Sequence, residues 1–425
     1  MKTIIIRILN VIALAIFSML VFLSIVGIAD YQVIWFISLD KLNGLADIVL
    51  LIIALCKVFI YFDEDRTSAL IGGGLLFFFI VLNQLDQCNY VQLIALIVSM
   101  MGIKIEKIAK VYVSVEGTTL ILTFVLSAVG VISNEHAETT SRVIKNIYSL
   151  GFSNHNPPMA LWLMLVLAIV YLTRNSKFRI QVCVGMMALN VLLYVITGSN
   201  ASFFIGMFIL TLAIMDYVIP EKNENNLLSK LKVSFMSGLR LASLYSIFFT
   251  VLGICFYGRF GRKGLPLTTL LHRFEIIYWE LKLSGLPMPF YTLREAHMAD
   301  VYFPYFLSDD LESGVYRNVD FNLIRGLGEI KRGQLFSGSD IEYFNILLFD
   351  GLMVLLPYVI FSIYLMHKAY KKKEYILMLC IAGSIFYGNF EALKSGYSAL
   401  QVFVVILLAD CNVGHSDYRM EYDEV

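Results

Sequence analysis

Two stretches of the sequence concentrate cationic side chains that could grip a phosphate group. Arg142 lies in the first, between two apolar runs; Arg259, Arg262, Lys263, Arg273, Arg294, Arg317, Arg325, Lys331 and Arg332 lie in or beside the second, Gly258 to Glu342. A guanidinium presents a planar fork of donors that matches two phosphate oxygens at once, which suits arginine to this work. The second stretch also holds eleven acidic residues. Most of its charges therefore belong to a solvated face, where an isolated charge contributes little. Arg259 and Arg262 stand apart, because the sequence Gly258-Arg259-Phe260-Gly261-Arg262 follows directly on an apolar run. There they can meet a phosphate at a membrane surface or anchor the run by snorkelling. Arg273 follows His272 on the polar face of an amphipathic pattern. Leu267, Leu270, Leu271, Phe274, Ile277, Tyr278 and Leu281 recur at helical spacing, Pro266 suits the first turn, and Glu275, Glu280 and Lys282 share the polar side.

Other chemistries find less support. Asp63-Glu64-Asp65 matches the D-x-D pattern of a nucleotide-sugar metal site, but it occupies a tight turn between apolar runs, without a globular domain to hold Mg²⁺. No glycine-rich loop ending in Gly-Lys-Ser or Gly-Lys-Thr is present, so the chain alone has no means of driving transport with ATP. The six cysteines show no C-x-x-C spacing, and neither a zinc site nor a disulfide framework is expected. No metal and no other cofactor is called for. Net charge is zero, so nothing points to nucleic acid. Asp47, Lys57, Glu116, Asp216 and Asp350 interrupt apolar runs; ionisable groups there need a cavity or a partner. Lys57 and Asp216 stand near run ends, where snorkelling is expected, while Glu116 and Asp350 could face a partner across helices.

The elements that position these residues are membrane helices. The chain is 58% hydrophobic and 16% charged, with mean hydropathy +0.74, more apolar surface than a soluble core can bury. Apolar runs long enough to cross most of a hydrocarbon core roughly 30 Å thick recur along it. An all-α polytopic membrane protein is expected, with about twelve spans (ten to twelve) near 8–28, 44–62, 68–85, 88–103, 111–132, 157–173, 180–197, 201–219, 239–257, 343–366, 375–390 and 396–411. The first reads as an uncleaved span. Basic clusters fall in alternate short loops, at Lys2/Arg7, Lys104/Lys107/Lys110, Arg174/Lys177/Arg179, Lys222/Lys230/Lys232 and Lys368/Lys371/Lys372/Lys373. These loops and both termini are thus expected in the cytoplasm. The resulting organisation is membrane helices one to nine over 1–257, with an outer loop at 133–156, a large outer loop at 258–342 carrying the amphipathic helix, helices ten to twelve over 343–411, and a cytoplasmic tail at 412–425. No internal or inverted repeat of the kind found in many transporters is evident.

Three stretches, in order, resemble the Wzy-type polysaccharide polymerases and the related O-antigen ligases. Leu150-Gly151-Phe152-Ser153-Asn154-His155-Asn156-Pro157-Pro158 is similar to that family's L-G-F followed by H-P-N, although here the order is N-H-N-P. Thr197-Gly198-Ser199-Asn200 resembles its T-G-S-R, with asparagine in place of the frequent arginine. Ser339-Asp340-Ile341-Glu342-Tyr343, continuing to Asp350-Gly351-Leu352, is similar to the D-N-x-Y-L stretch after its large loop. The resemblance covers about a tenth of the chain. It implies that a growing glycan on undecaprenyl pyrophosphate is transferred to a sugar hydroxyl of a new lipid-linked repeat unit, at the outer face of the bacterial cytoplasmic membrane. A chain-length regulator and a flippase of the same pathway would be its partners, alongside membrane lipid.

On that reading Asp340 is the base and Arg273 the group stabilising charge on the leaving pyrophosphate, with Arg142, Arg259, Arg262, His272 and Arg294 binding it. His155, Asn156, Asn200 and Asp350 are further candidates. Asp340 is equally suited to cap the incoming helix. Three other functions remain open: a ligase with another acceptor, a flippase or transporter whose charges would line a central cavity, and a non-catalytic scaffold.

Overall fold

The computed structural model describes residues 2–29, 39–63, 65–84, 90–132, 134, 136–139, 145–152, 155–219, 227–260, 346 and 351–388. In chain order the elements are α1 (Lys2–Ile28), α2 (Leu39–Phe62), α3 (Arg66–Gln84), α4 (Val91–Ser99), α5 (Ile105–Ala128), β1 (His136–Thr139), β2 (Lys145–Tyr148), α6 (Asn156–Leu172), α7 (Arg179–Thr197), α8 (Asn200–Val218), α9 (Leu227–Phe260), α10 (Leu352–Lys371) and α11 (Tyr375–Gly388). Among the described residues, seven helices are long and apolar enough to cross a bilayer: α1, the Gly44–Phe62 part of α2, α3, α5, α7, α8 and α10.

Their outer faces carry large apolar side chains in the open, including Phe59 (76% exposed), Phe77 (72%) and Val195 (69%). A solvent of water would penalise this surface and lipid does not. The protein is a helical, multi-pass membrane protein. Its helices answer the backbone's need for internal hydrogen bonds in a medium that offers none.

At the centre lies α6. Of its seventeen residues all but Asn156, Ile169 and Leu172 are buried, and it packs against α5, α7, α8 and α11. Such a helix, apolar on every side, belongs in the middle of a bundle. The short α11 is buried almost throughout as well, against α8, α9 and α10.

Two features depart from the sequence expectation. The run at 88–103 is not a full span, since α4 has nine residues and rises about 13 Å. It nevertheless returns the chain alongside α3. The Tyr90 ring meets Phe79 at 5.8 Å, and a Cβ built on Gly72 would lie 3.3 Å from Met101. Phe17 of α1 then stacks on Tyr112 of α5, with ring centroids 6.4 Å apart. The chain enters α4 at Tyr90 beside Phe79, more than a turn before the end of α3, which shortens the return. The second departure is the hairpin of β1 and β2, paired His136↔Tyr148 to Thr139↔Lys145, within the outer loop expected at 133–156.

The large loop 258–342, its amphipathic helix and the twelfth expected span lie outside the described residues, except that α9 continues to Phe260. With thirty-four residues, α9 is about 51 Å long, well beyond the 239–257 assigned to it from the sequence.

Candidate functional site

The bundle has two chemically different ends. At one, the basic clusters meet. Arg174 pairs with Glu106 at the start of α5 and its guanidinium lies over the Tyr171 ring. Arg179 reaches Asp216 at 2.8 Å, Lys232 reaches the other oxygen of Asp216 at 2.9 Å, and Lys232 also lies over the Tyr375 ring. That chain of contacts joins the ends of α5, α6, α7, α8, α9 and α11 in one layer. Lys57 joins α1 and α2 to the turn after α4, donating to Asn10 Oδ1 at 2.5 Å and to the Met101 carbonyl at 2.8 Å.

Lys57 and Asp216 therefore do not snorkel as expected. Lys57 is fully buried and satisfied by oxygens from two neighbouring segments, while Asp216 is neutralised by two cations. Burying a charge is tolerable only with partners of this kind. The Asp63-Glu64-Asp65 turn also has a local explanation. Asp65 accepts hydrogen bonds from the Ser68 hydroxyl at 2.6 Å and the Ser68 backbone N–H at 3.1 Å, as a helix N-cap does. Those bonds hold the Asp65 carboxyl below its ordinary range.

At the opposite end the first two resemblance stretches come together around the hairpin. Leu150 and Gly151 both take left-handed backbone conformations (φ 53° and 91°), and the Leu150 N–H donates to Asn134 Oδ1 at 2.9 Å. A Cβ on Gly151 would stand 3.1 Å from Ser127 Cβ and 3.2 Å from Thr123 Cγ2. Phe152, wholly buried, bridges to Ala29 and meets the Phe124 ring edge-on. Leu150-Gly151-Phe152 is thus a plug that turns the chain and seals the ends of α1 and α5. His155 follows at the N-terminal boundary of α6, half-buried, and Pro157 and Pro158 occupy the first turn, where missing N–H donors cost nothing. Burial pushes the His155 imidazole below its ordinary range, which favours the neutral ring at this helix end, as the helix dipole also does.

The second stretch closes on the same hairpin. Gly198 ends α7 with φ 69°, its N–H donating to the Tyr194 carbonyl at 2.8 Å, and a Cβ there would lie only 2.8 Å from Ile147 Cγ2 of β2. The exposed Asn200 opens α8. Its carboxamide oxygen accepts from the Tyr194 hydroxyl at 3.0 Å, and the Tyr194 ring stacks on Phe203 with centroids 4.2 Å apart. Below it, Asn190 and Ser202 are fully buried; Asn190 Nδ2 donates to the Phe203 carbonyl at 3.0 Å, while Asn190 Oδ1 and Ser202 Oγ find no partner among the described residues. The sequence signal for them is slight: an amide midway through the apolar run 180–197 and a serine early in the next.

Glu116 is the remaining buried ionisable group of α5, fully enclosed. Tyr112, one turn earlier on the same face, is the hydroxyl beside it. Asp47 lies half-buried near the start of α2, facing Gln92. Among the described residues no three His, Cys, Asp or Glu side chains converge as metal ligands.

Of the other candidate residues, Arg142, Arg262, His272, Arg273, Arg294, Asp340 and Asp350 lie outside the described residues. Arg259 lies on the final turn of α9, roughly 40 Å along the helix axis from Lys232, so α9 carries it away from the basic layer. The chain matches no protein-family model, no curated protein and no solved structure.

Proposed function

We propose that the protein polymerises undecaprenyl-pyrophosphate-linked oligosaccharide repeat units into a surface polysaccharide, working at the hairpin end of the bundle on the outer face of the bacterial cytoplasmic membrane. The observation that carries this reading is the convergence of Leu150–Pro158 and Thr197–Asn200 on one hairpin. Stretches about forty residues apart in sequence share an end of the bundle, with the Ile147 and Gly198 contact between them. The end of α9 bearing Arg259 lies far from the basic layer too.

In this mechanism the growing glycan's anomeric carbon is attacked by a sugar hydroxyl of the incoming repeat unit. The bond to the undecaprenyl pyrophosphate oxygen breaks, and the pyrophosphate leaves with the bonding electron pair. Asp340 takes the hydroxyl proton, and Arg273 offsets the charge developing on the leaving group. Arg142, Arg259, Arg262, His272 and Arg294 hold the pyrophosphate. His155, neutral at the start of α6, and the exposed amide of Asn200 supply hydrogen bonds to sugar hydroxyls, and Asn156 and Asp350 of the resemblance stretches are further candidates for that role. A leaving pyrophosphate supplies the driving force without a nucleotide or metal. The same chemistry with a different acceptor is ligation.

A second reading, movement of a lipid-linked oligosaccharide across the membrane, draws on Glu116, a carboxyl enclosed in the bundle where a transported group or proton could be felt. One experiment separates the two. Cells lacking the gene are complemented with wild type, Arg273→Ala, Asp340→Ala or Glu116→Gln, membrane expression is verified, and surface glycan is resolved on gels. Polymerisation predicts that Arg273→Ala and Asp340→Ala leave single repeat units while Glu116→Gln retains a ladder. Normal ladders from both loop variants would overturn the polymerase reading. Loss of all surface glycan, single units included, from Glu116→Gln would favour translocation.

A further inference from the structure

At the basic end of the bundle, between the start of α9 and the turn joining α10 to α11, lies an open cavity of about 540 Å³. Lys230, Lys371 and Lys373 line it, with the hydroxyl-bearing Ser229, Ser234 and Tyr375 between them. Lys232 stands behind the Tyr375 ring, 5.4 Å from its centroid, and Arg240 lies over the ring of Tyr370 on the far side. Glu374 is the acidic residue of the turn, outnumbered by the three lysines, and Asp216 is already held by Arg179 and Lys232. The charged residues lining the cavity are all lysines, with several hydroxyl groups among them, the chemistry that receives a phosphate.

The turn itself carries a second observation. Lys373 has φ 59°, the left-handed conformation that ordinarily falls to glycine at the end of a helix. The Lys373 N–H donates to the Tyr370 carbonyl at 3.0 Å and the Glu374 N–H to the Ala369 carbonyl at 2.9 Å, so the turn is the usual helix stop with a lysine in glycine's place. An L-residue is strained in that position, and this one contributes its side chain to the cavity wall. On the adjoining surface of α9, Leu227 (69% exposed) and Leu231 (55%) stand open, an apolar flank beside the lysines. A free anion has no use for that flank, whereas acyl chains would cover it.

We propose that this cavity binds the phosphate headgroup of an anionic phospholipid, its acyl chains lying along α9. The site is at the end of the bundle opposite the hairpin and does not depend on the polymerase reading. The test is native mass spectrometry of the full chain in detergent supplied with phosphatidylglycerol or phosphatidylcholine, alongside thermal unfolding with each lipid and with inorganic phosphate. Wild type retains phosphatidylglycerol in preference to phosphatidylcholine, and inorganic phosphate at millimolar concentration neither displaces the lipid nor raises the unfolding temperature. Lys373→Gly relieves the left-handed strain, so it unfolds no earlier than wild type, yet it binds phosphatidylglycerol about fivefold more weakly, the effect of one lysine near an anionic surface. Adding Lys371→Gln weakens binding by about another fivefold. Lys107→Gln removes one exposed charge from the same end, outside the cavity, and leaves retention unchanged. Unaltered retention in Lys373→Gly, an equal loss in Lys107→Gln, or protection by inorganic phosphate equal to that by lipid would each overturn the proposal.

Discussion

Gly198 shows how much of the hairpin end rests on one residue. Its φ of 69° ends α7, and the space where a Cβ would sit belongs to Ile147 of β2. Both constraints act on the same atom, since an alanine would be strained in its backbone and would collide with Ile147 at 2.8 Å. Gly198→Ala should therefore destabilise the protein by about 1–3 kcal/mol and displace β2. Thermal unfolding in detergent measures the first effect, and proteolysis of the 136–148 segment the second. A variant as stable as wild type would mean that the hairpin does not bear on α7. Serine, alanine and glycine are all plausible in Thr197-Gly198-Ser199-Asn200 as a string of letters. Only the contact with a residue about fifty positions earlier shows why glycine is needed. The histidine at 155 could be read from the sequence as a polar residue opening an apolar run, but its half-burial, and with it the downward push on its imidazole, is a product of packing.

Helix pairs set the next scale, and the layer joining α7, α8 and α9 gives the sharpest case. Arg179, Asp216 and Lys232 are largely buried, and each cation has a further oxygen: Arg179 donates to the Ala213 carbonyl at 2.5 Å, and Lys232 to the carbonyls of Asp216 and Ile219 at 3.0 and 2.9 Å. Removing the carboxylate would leave two cations facing one another with backbone oxygens and the ring faces of Tyr217 and Tyr375 in place of an anion. Asp216→Ala is expected to cost about 3 kcal/mol, the lower end of the range for breaking a buried pair, because those carbonyls remain. Replacing Arg179 by methionine in the same chain should recover part of the loss. Comparison of the single and double variants by thermal unfolding checks this, and additive losses would show that the ions are not coupled. The basic residues are evident in the sequence as loop charges. Their pairing with an aspartate at the end of another apolar run is not, because a run's hydropathy records its composition and not its neighbour.

Taken whole, the molecule separates its chemistry along the bundle axis, with basic clusters at one end and the hairpin, His155, Gly198 and Asn200 at the other. If that axis crosses the membrane with the basic layer in the cytoplasm, a membrane-impermeant maleimide should label Val131→Cys in intact cells. It should label Lys177→Cys only after permeabilisation. Val131 is 60% exposed just beyond α5, and Lys177 is exposed in the turn before α7. The reverse pattern would turn the molecule over, and labelling of both in intact cells would sink the transmembrane arrangement.

Composition and the spacing of apolar runs were sufficient to determine a helical multi-pass protein, the approximate positions of most described helices and the grouping of basic loops. These are local properties, fixed by the backbone's need for internal hydrogen bonds in lipid and by the cost of moving charge through it. Tertiary structure alone decided that α6 and α11 are enclosed while α2, α3 and α7 face outward, that α4 returns the chain in nine residues, that Lys57 and Asp216 are paired within the bundle, and that Ile147 lies on Gly198. Lipid tails are as apolar as leucine, so a helix facing lipid and a helix facing other helices need the same letters. What distinguishes them is which helix lies beside which, settled by packing between residues far apart in the chain.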